Sequence, residues 1–146
     1  MGETLNKFLK NKGYCSVNLI CLKTKHYLIE AKINGIDGKF ILDSGASNSC
    51  VCITKDYKFK LETKISKISA SSATSEISQT SISKKNLVSI SKWKCTIDLV
   101  TFDMSHINRT LKEKEIEFVD GIIGADVLKK SKAVLDFKSN KLYLKL

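Results

Sequence analysis

The chain has 146 residues, of which 42% are apolar and 27% are charged, and its formal net charge is +10 at neutral pH. This length fits one domain with a buried core, and the lack of any long apolar run indicates a soluble globular protein with no membrane partner. The positive charge comes from scattered lysines, with Arg109 as the sole arginine. A nucleic-acid surface would gather its basic residues, so we expect no nucleic-acid partner. Binding through lysine stays open as a rival, marked by a steep salt dependence.

The N-terminus and the cysteines together indicate a compartment. Residues 1–6 lack the charged-then-apolar pattern of a secretory signal and the hydroxyl residue that a myristoylation signal carries at position 6. The five cysteines are odd in number and lie mostly in apolar segments, which favours free thiols over a disulfide framework. We therefore expect a cytoplasmic protein, or one whose signal has been removed.

Strand patterns cover most of the chain. Apolar segments predict strands at residues 14–22, 27–33, 39–42, 49–53, 87–90, 93–102, 133–137 and 141–146. The Asn34-Gly35 pair predicts a hairpin between the second and third of these. Residues 66–83 are rich in serine, threonine and alanine and predict a mobile β-hairpin, with a plain surface loop as the alternative.

Few segments of the sequence predict a helix. Residues 1–14 are expected to form an irregular arm or a helical turn, and residues 103–119 a loop with one helical turn around residues 111–116. Asp126 is the expected N-cap of one short late helix that ends in Lys129 and Lys130, whose charges suit a helix C-terminus. The expected fold is therefore all-β, a small barrel or sandwich with one short C-terminal helix.

Asp43 stands at the end of an apolar strand and is followed directly by Ser44-Gly45-Ala46. A carboxylate in that place is costly unless it is hydrogen-bonded. Gly45 is expected to take a positive φ, so that the turn aims backbone N–H groups at the carboxylate. For the tetrapeptide alone, an ordinary β-turn at a hairpin end is the preferred explanation. A second motif downstream, Gly121-Ile122-Ile123-Gly124-Ala125-Asp126, favours a functional site.

In this order, the two motifs resemble those of the retroviral-type (retropepsin-like) aspartic proteases, and more closely their bacterial single-domain relatives. The resemblance covers residues 26–146, with residues 1–25 as an N-terminal arm and first strand. It implies a small closed β-barrel of the retroviral aspartic protease type, with Asp43 catalytic, Ser44 linking two catalytic loops across a dimer, and Gly45 and Ala46 shaping the loop. It also implies that Ala46 and a flap contact the substrate, the flap residues being Ala70, Ser71, Ser72 and Ala73.

The number of motifs indicates the assembly. The chemistry of that family needs two carboxylates that share one proton, since like charges a few ångströms apart cannot both ionise. This chain has one Asp-Ser-Gly, and a two-lobed enzyme would need about twice its length. The resemblance therefore implies a homodimeric endopeptidase acting on peptides without a metal or cofactor, with residues 141–146 expected to pair between subunits.

The sequence departs from the family pattern in ways that leave alternatives open. The flap region has no glycine at its tip, and the insertions at residues 54–64 and 103–117 could restrict the groove or block dimerisation. A catalytically silent binding or dimerisation module with this fold is the first alternative. A nucleophilic or metal site built from Cys50, Cys52 and His106 is the second alternative. Structural zinc sites usually have four ligands, with more than one residue between paired cysteines.

Overall fold

The computed structural model describes residues 3–65, 70–71, 76–77, 80–114 and 118–146. Within those ranges the strands β1–β13 are, in chain order, Tyr14–Asn18, Ile20–Cys21, Tyr27–Ile33, Ile36–Leu42, Cys50–Cys52, Lys64–Ile65, Ala70–Ser71, Glu76–Ile77, Thr80–Ile90, Trp93–Phe102, Gly121–Ile123, Val134–Asp136 and Lys141–Lys145. The helices α1–α3 are Leu5–Asn11, Ser105–Glu113 and Ala125–Lys130.

Six strands close into a barrel. The main sheet has the order β2-β3-β4-β11-β5-β10-β9-β6, and a further pairing of β3 with β9 closes the ring. The β4–β11 and β5–β10 pairs are parallel, whereas the other pairs in the ring are antiparallel. The predicted closed, mostly β barrel is therefore confirmed.

The β3–β4 hairpin forms where the Asn34-Gly35 pair predicted it. Both residues have a positive φ, of 52° and 83°, which the type I′ hairpin turn requires. The Asn34 side chain accepts a hydrogen bond from the Leu87 N–H and donates to the Phe59 carbonyl. This one side chain thus fastens the turn to the strand that closes the barrel.

The helices differ from the prediction in number. The short late helix is present as α3, but α1 and α2 are complete helices. The N-cap of α1 is Thr4, whose hydroxyl accepts the Lys7 N–H. The predicted helical turn at residues 111–116 was misplaced, because α2 begins at Ser105, whose N–H is bound by the Asp103 carboxylate at 2.8 Å.

The chain termini meet in a separate three-stranded sheet of order β1-β13-β12. The predicted strand at residues 14–22 is divided into β1, which joins this sheet, and β2, which pairs with β3. The prediction that residues 141–146 pair between subunits stays a prediction, but in this structure β13 pairs within the chain. Both edges of β13 are already hydrogen-bonded within the chain, by β1 and β12.

Two apolar clusters lie on opposite faces of the barrel wall. Side chains from all six ring strands fill the interior; Ile29, Phe40, Leu99 and Ile123 are among those with no exposed surface. The second cluster lies on the outside and includes Ile41, Cys50, Cys52, Ile122, Met104 and Leu111. Residues adjacent in a strand therefore contribute to different clusters, as strand alternation requires. None of the helices in the described ranges is both long and apolar enough to cross a membrane.

Candidate active site

Asp43 emerges one residue after β4 and continues its pairing with β11, since its N–H donates to the Ile123 carbonyl at 2.9 Å. The chain then turns tightly: the Gly45 N–H donates to Asp43 Oδ1 at 2.9 Å, and the Ala46 N–H to the Asp43 carbonyl at 3.1 Å. Asp43, Ser44 and Gly45 are exposed, and Ala46 is half-buried. The expectation that a backbone N–H points at the carboxylate is confirmed.

The expected reason for glycine at position 45 was wrong. Among the described glycines only Gly13 and Gly35 have a positive φ. A Cβ at position 45 would lie 3.2 Å from Asp43 Oδ1, which is tighter than ordinary van der Waals contact. Glycine is therefore favoured there because the carboxylate lies close to its backbone, and not because of an unusual φ.

The second motif packs directly against this loop. A Cβ on Gly124 would lie 2.5 Å from the Ala46 carbonyl oxygen, so only glycine fits. The Ala125 N–H donates to the same oxygen at 2.7 Å. The two motifs, distant in sequence, therefore form one unit.

Ser49 and Asp126 hold that unit together, a role that the sequence did not reveal. The Ser49 hydroxyl is buried; it donates to Asp126 Oδ1 at 2.6 Å and accepts the Gly124 N–H at 2.9 Å. The Ser49 N–H donates to the other carboxylate oxygen. Asp126 was predicted as the N-cap of α3, but the N-cap is Gly124 and Asp126 lies in the first turn.

The cysteine alternative finds little support in the geometry. Burial, and then the nearby charges of Asp126 and Asp43, raise the pKa of the Cys50 thiol to about 12, so it stays protonated at neutral pH. A nucleophilic cysteine needs the opposite shift. His106 is exposed on α2. In the part of the chain that the structure describes, no group of three or more His, Cys, Asp or Glu side chains could hold a metal ion.

The hairpin residues are only partly within the described structure. β7 and β8 pair antiparallel, with Ala70 opposite Ile77 and Ser71 opposite Glu76. Ser72 and Ala73 lie outside the described residues. The structure therefore brings Asp43, Ser44, Gly45 and Ala46 together in one loop, while the substrate contacts of the hairpin remain a prediction.

Asp43 lies at an open surface. Two cavities of about 490 Å³ share Lys55 and Phe118 in their walls, and one of them is lined by Lys39 in β4, four residues before Asp43. Neither cavity is lined by Asp43 or its loop.

No family model and no curated protein matches the chain. Solved structures do. A retropepsin-like aspartic protease from Rickettsia conorii superposes with a TM-score of 0.61 at 17% identity, over 90% of this chain and 89% of that one. EIAV protease, complexed with the inhibitor HBY-793, gives 0.59 at 14% identity, over 79% and 96%. The retroviral protease-like domain of Ddi1 from Leishmania major gives 0.54 at 19% identity, over 80% and 86%. The chain therefore has the fold of the retropepsin-like aspartic proteases.

Proposed function

We propose that this protein is an aspartic endopeptidase whose active site is completed by a second copy of the chain. The observation that carries the proposal is the exposed Asp43 carboxylate, held by the Gly45 N–H on a loop braced by Gly124. This loop occurs once per chain, in the fold of proteins that include aspartic proteases. The exposure of Asp43 and Ser44 suits a half-site.

In the proposed dimer, one Asp43 carboxylate from each copy lies at the two-fold axis and the pair shares a proton. The ionised carboxylate takes a proton from a water molecule, whose oxygen attacks the peptide carbonyl carbon. The protonated partner donates to the carbonyl oxygen. Collapse of the tetrahedral intermediate then breaks the C–N bond: the amine leaves with a proton from the first carboxyl group, and a hydroxyl of the intermediate returns its proton to the partner carboxylate as the C=O bond re-forms.

The remaining site residues are assigned within the same proposal. Ser44, whose hydroxyl is exposed beside Asp43, would hydrogen-bond the partner loop across the axis. Ala46 and the hairpin that contains Ala70, Ser71, Ser72 and Ala73 would contact the peptide, residues 26–146 acting as the protease domain. All five cysteines are free, which supports a reducing, cytoplasmic location.

The test combines sedimentation with cleavage of a peptide library at pH 4–7, for the wild type and Asp43→Asn on the same samples. We expect a wild-type dimer that cuts peptides, and an Asp43→Asn dimer that does not. A stable monomer, or cleavage that survives in Asp43→Asn, contradicts the proposal.

A catalytically silent module with this fold remains the second candidate, favoured by one observation. The apolar face beside Asp43 is covered by the chain itself, since Ile41 is 5% and Ile122 is 9% exposed. If Asp43→Asn and the wild type bind the same peptides and neither cuts them, this second candidate holds.

A further inference from the structure

The position of Asp43 at the end of β4 indicates which surface lies next to its carboxylate and would contact a bound peptide. Phe40 and Leu42 belong to the interior cluster or pack on it, and Ile41 belongs to the outer cluster. Asp43 continues the pairing of β4 with β11, so the alternation of side chains along an extended chain assigns it to the same outer face as Ile41. Ala46 packs on that outer cluster as well. The surface formed by Ile41, Cys50 and Ile122, here called the outer face, thus adjoins the carboxylate.

The outer face is filled by side chains from the insertion that carries α2. Met104 and Leu111 belong to the same cluster and are 0% and 2% exposed. Ile107 packs on the cluster from the same helix. Beneath them Ile41, Cys50 and Ile122 keep 5%, 8% and 9% of their surface. Within the described residues, a substrate side chain would therefore find this apolar surface already occupied.

The covering helix is fixed by specific contacts, so the cover is a defined part of the fold. Asn108, itself buried, accepts the Val119 N–H at 2.9 Å, and its amide lies 3.4 Å from the Val119 carbonyl as a donor. These bonds tie the middle of α2 to the segment that leads into β11. Met104 and Leu111 are therefore held against the face next to Asp43.

We propose that Met104 and Leu111 determine the substrate class of the Asp43 site, by excluding large apolar side chains from the positions that flank the scissile bond. The site then takes peptides with small or polar residues at those positions. This inference rests on the proposed endopeptidase function. Specificity of this kind is set by pocket volume, and one methylene group in an apolar pocket changes kcat/KM by about 10–200-fold.

The test compares two peptides that differ only in Ala or Phe beside the cleavage site. We expect the wild type to prefer the Ala peptide, and Met104→Ala or Leu111→Ala to raise the Phe-to-Ala ratio of kcat/KM at least tenfold, because truncation opens space next to the outer face. Arg109→Ala, an exposed change on the same helix, should leave the ratio unchanged. A wild type that prefers Phe, or truncations that leave the ratio unmoved, overturn the proposal.

A binding measurement separates this inference from the catalytic proposal. Fluorescein-labelled versions of the two peptides are titrated with Asp43→Asn, alone and combined with Leu111→Ala or the milder Leu111→Val, and folding is checked by thermal unfolding. If the proposed catalysis fails but the Phe peptide gains affinity only in the Leu111 variants, the inference stands for a binding site. Equal affinities in folded Leu111 variants and in their parent reject it.

Discussion

Ser49→Ala should be the most destabilising hydroxyl deletion near the site. The change removes the donor to Asp126 Oδ1 at 2.6 Å and the acceptor of the Gly124 N–H at 2.9 Å. Ser49 is fully buried, so the Gly124 N–H loses its partner in a place that water reaches poorly. A buried donor left unsatisfied costs about 1–3 kcal/mol, and a hydrogen bond to a charged group is worth about 1.5–3 kcal/mol.

The two costs do not add in full, because Asp126 is only half-buried and keeps its hydrogen bond from the Ser49 N–H. We therefore expect the free energy of unfolding to fall by about 3 kcal/mol. For a chain of this size that corresponds to a loss of roughly 10 °C in Tm. Urea unfolding followed by fluorescence of the single tryptophan, Trp93, measures the change at fixed protein concentration.

Ser47→Ala provides the matched control, since Ser47 lies in the same loop but is exposed. An exposed substitution of this kind stays within about 0.5 kcal/mol. If Ser49→Ala also falls within about 0.5 kcal/mol of the wild type, below the cost of about 1–3 kcal/mol for an unsatisfied buried donor, the reasoning about Ser49 and Asp126 is refuted.

Two further predictions concern the same loops. Gly124→Ala places a methyl group 2.5 Å from the Ala46 oxygen, so we expect a loss of about 1–3 kcal/mol from overpacking and loss of peptide cleavage; an unchanged urea midpoint would contradict this. The Cys50 thiol has a folded pKa of about 12 against 9.0 when unfolded. Between those pH values the folded state keeps the proton that the unfolded state loses, so the stability falls as the pH rises, by up to about 1.4 kcal/mol per pH unit. Urea unfolding at pH 9 and 10.5 measures this loss of stability, which should be smaller in Cys50→Ala than in the wild type. An equal loss in the two proteins would contradict the raised pKa of Cys50.

The sequence predicted those features that local chemistry decides. The Asn34-Gly35 hairpin needs only two residues that tolerate a positive φ, and both have one. The Asp43 turn likewise depends on neighbours within three positions. In contrast, the bond between Ser49 and Asp126 joins residues 77 positions apart. No local pattern distinguishes Ser49 from the other serines of this serine-rich chain, so its role could not be predicted from the sequence.

The α2 segment shows the same limit for burial. Its sequence is mostly polar, and it was predicted to be largely loop, because Ile107 and Leu111 are its apolar residues within the helix bounds. These two lie four positions apart, on one face. Helices of this kind gain most of their stability from tertiary packing and little from propensity. Here α2 packs against the outer face. That contact joins segments distant in the sequence, so the sequence of α2 alone does not predict it.

The terminal sheet restricts where a second copy could bind. Because β1 and β12 occupy both edges of β13, its backbone groups cannot pair with another chain unless this sheet opens. In the proposed dimer, with both Asp43 carboxylates at its axis, the two Asp43 loops would then supply the contact between the copies. Within the described residues, β1 and β12 are the edge strands of this sheet. Substitutions at Ser44 should therefore weaken association more than substitutions in β13, the reverse of the order that pairing through residues 141–146 would give.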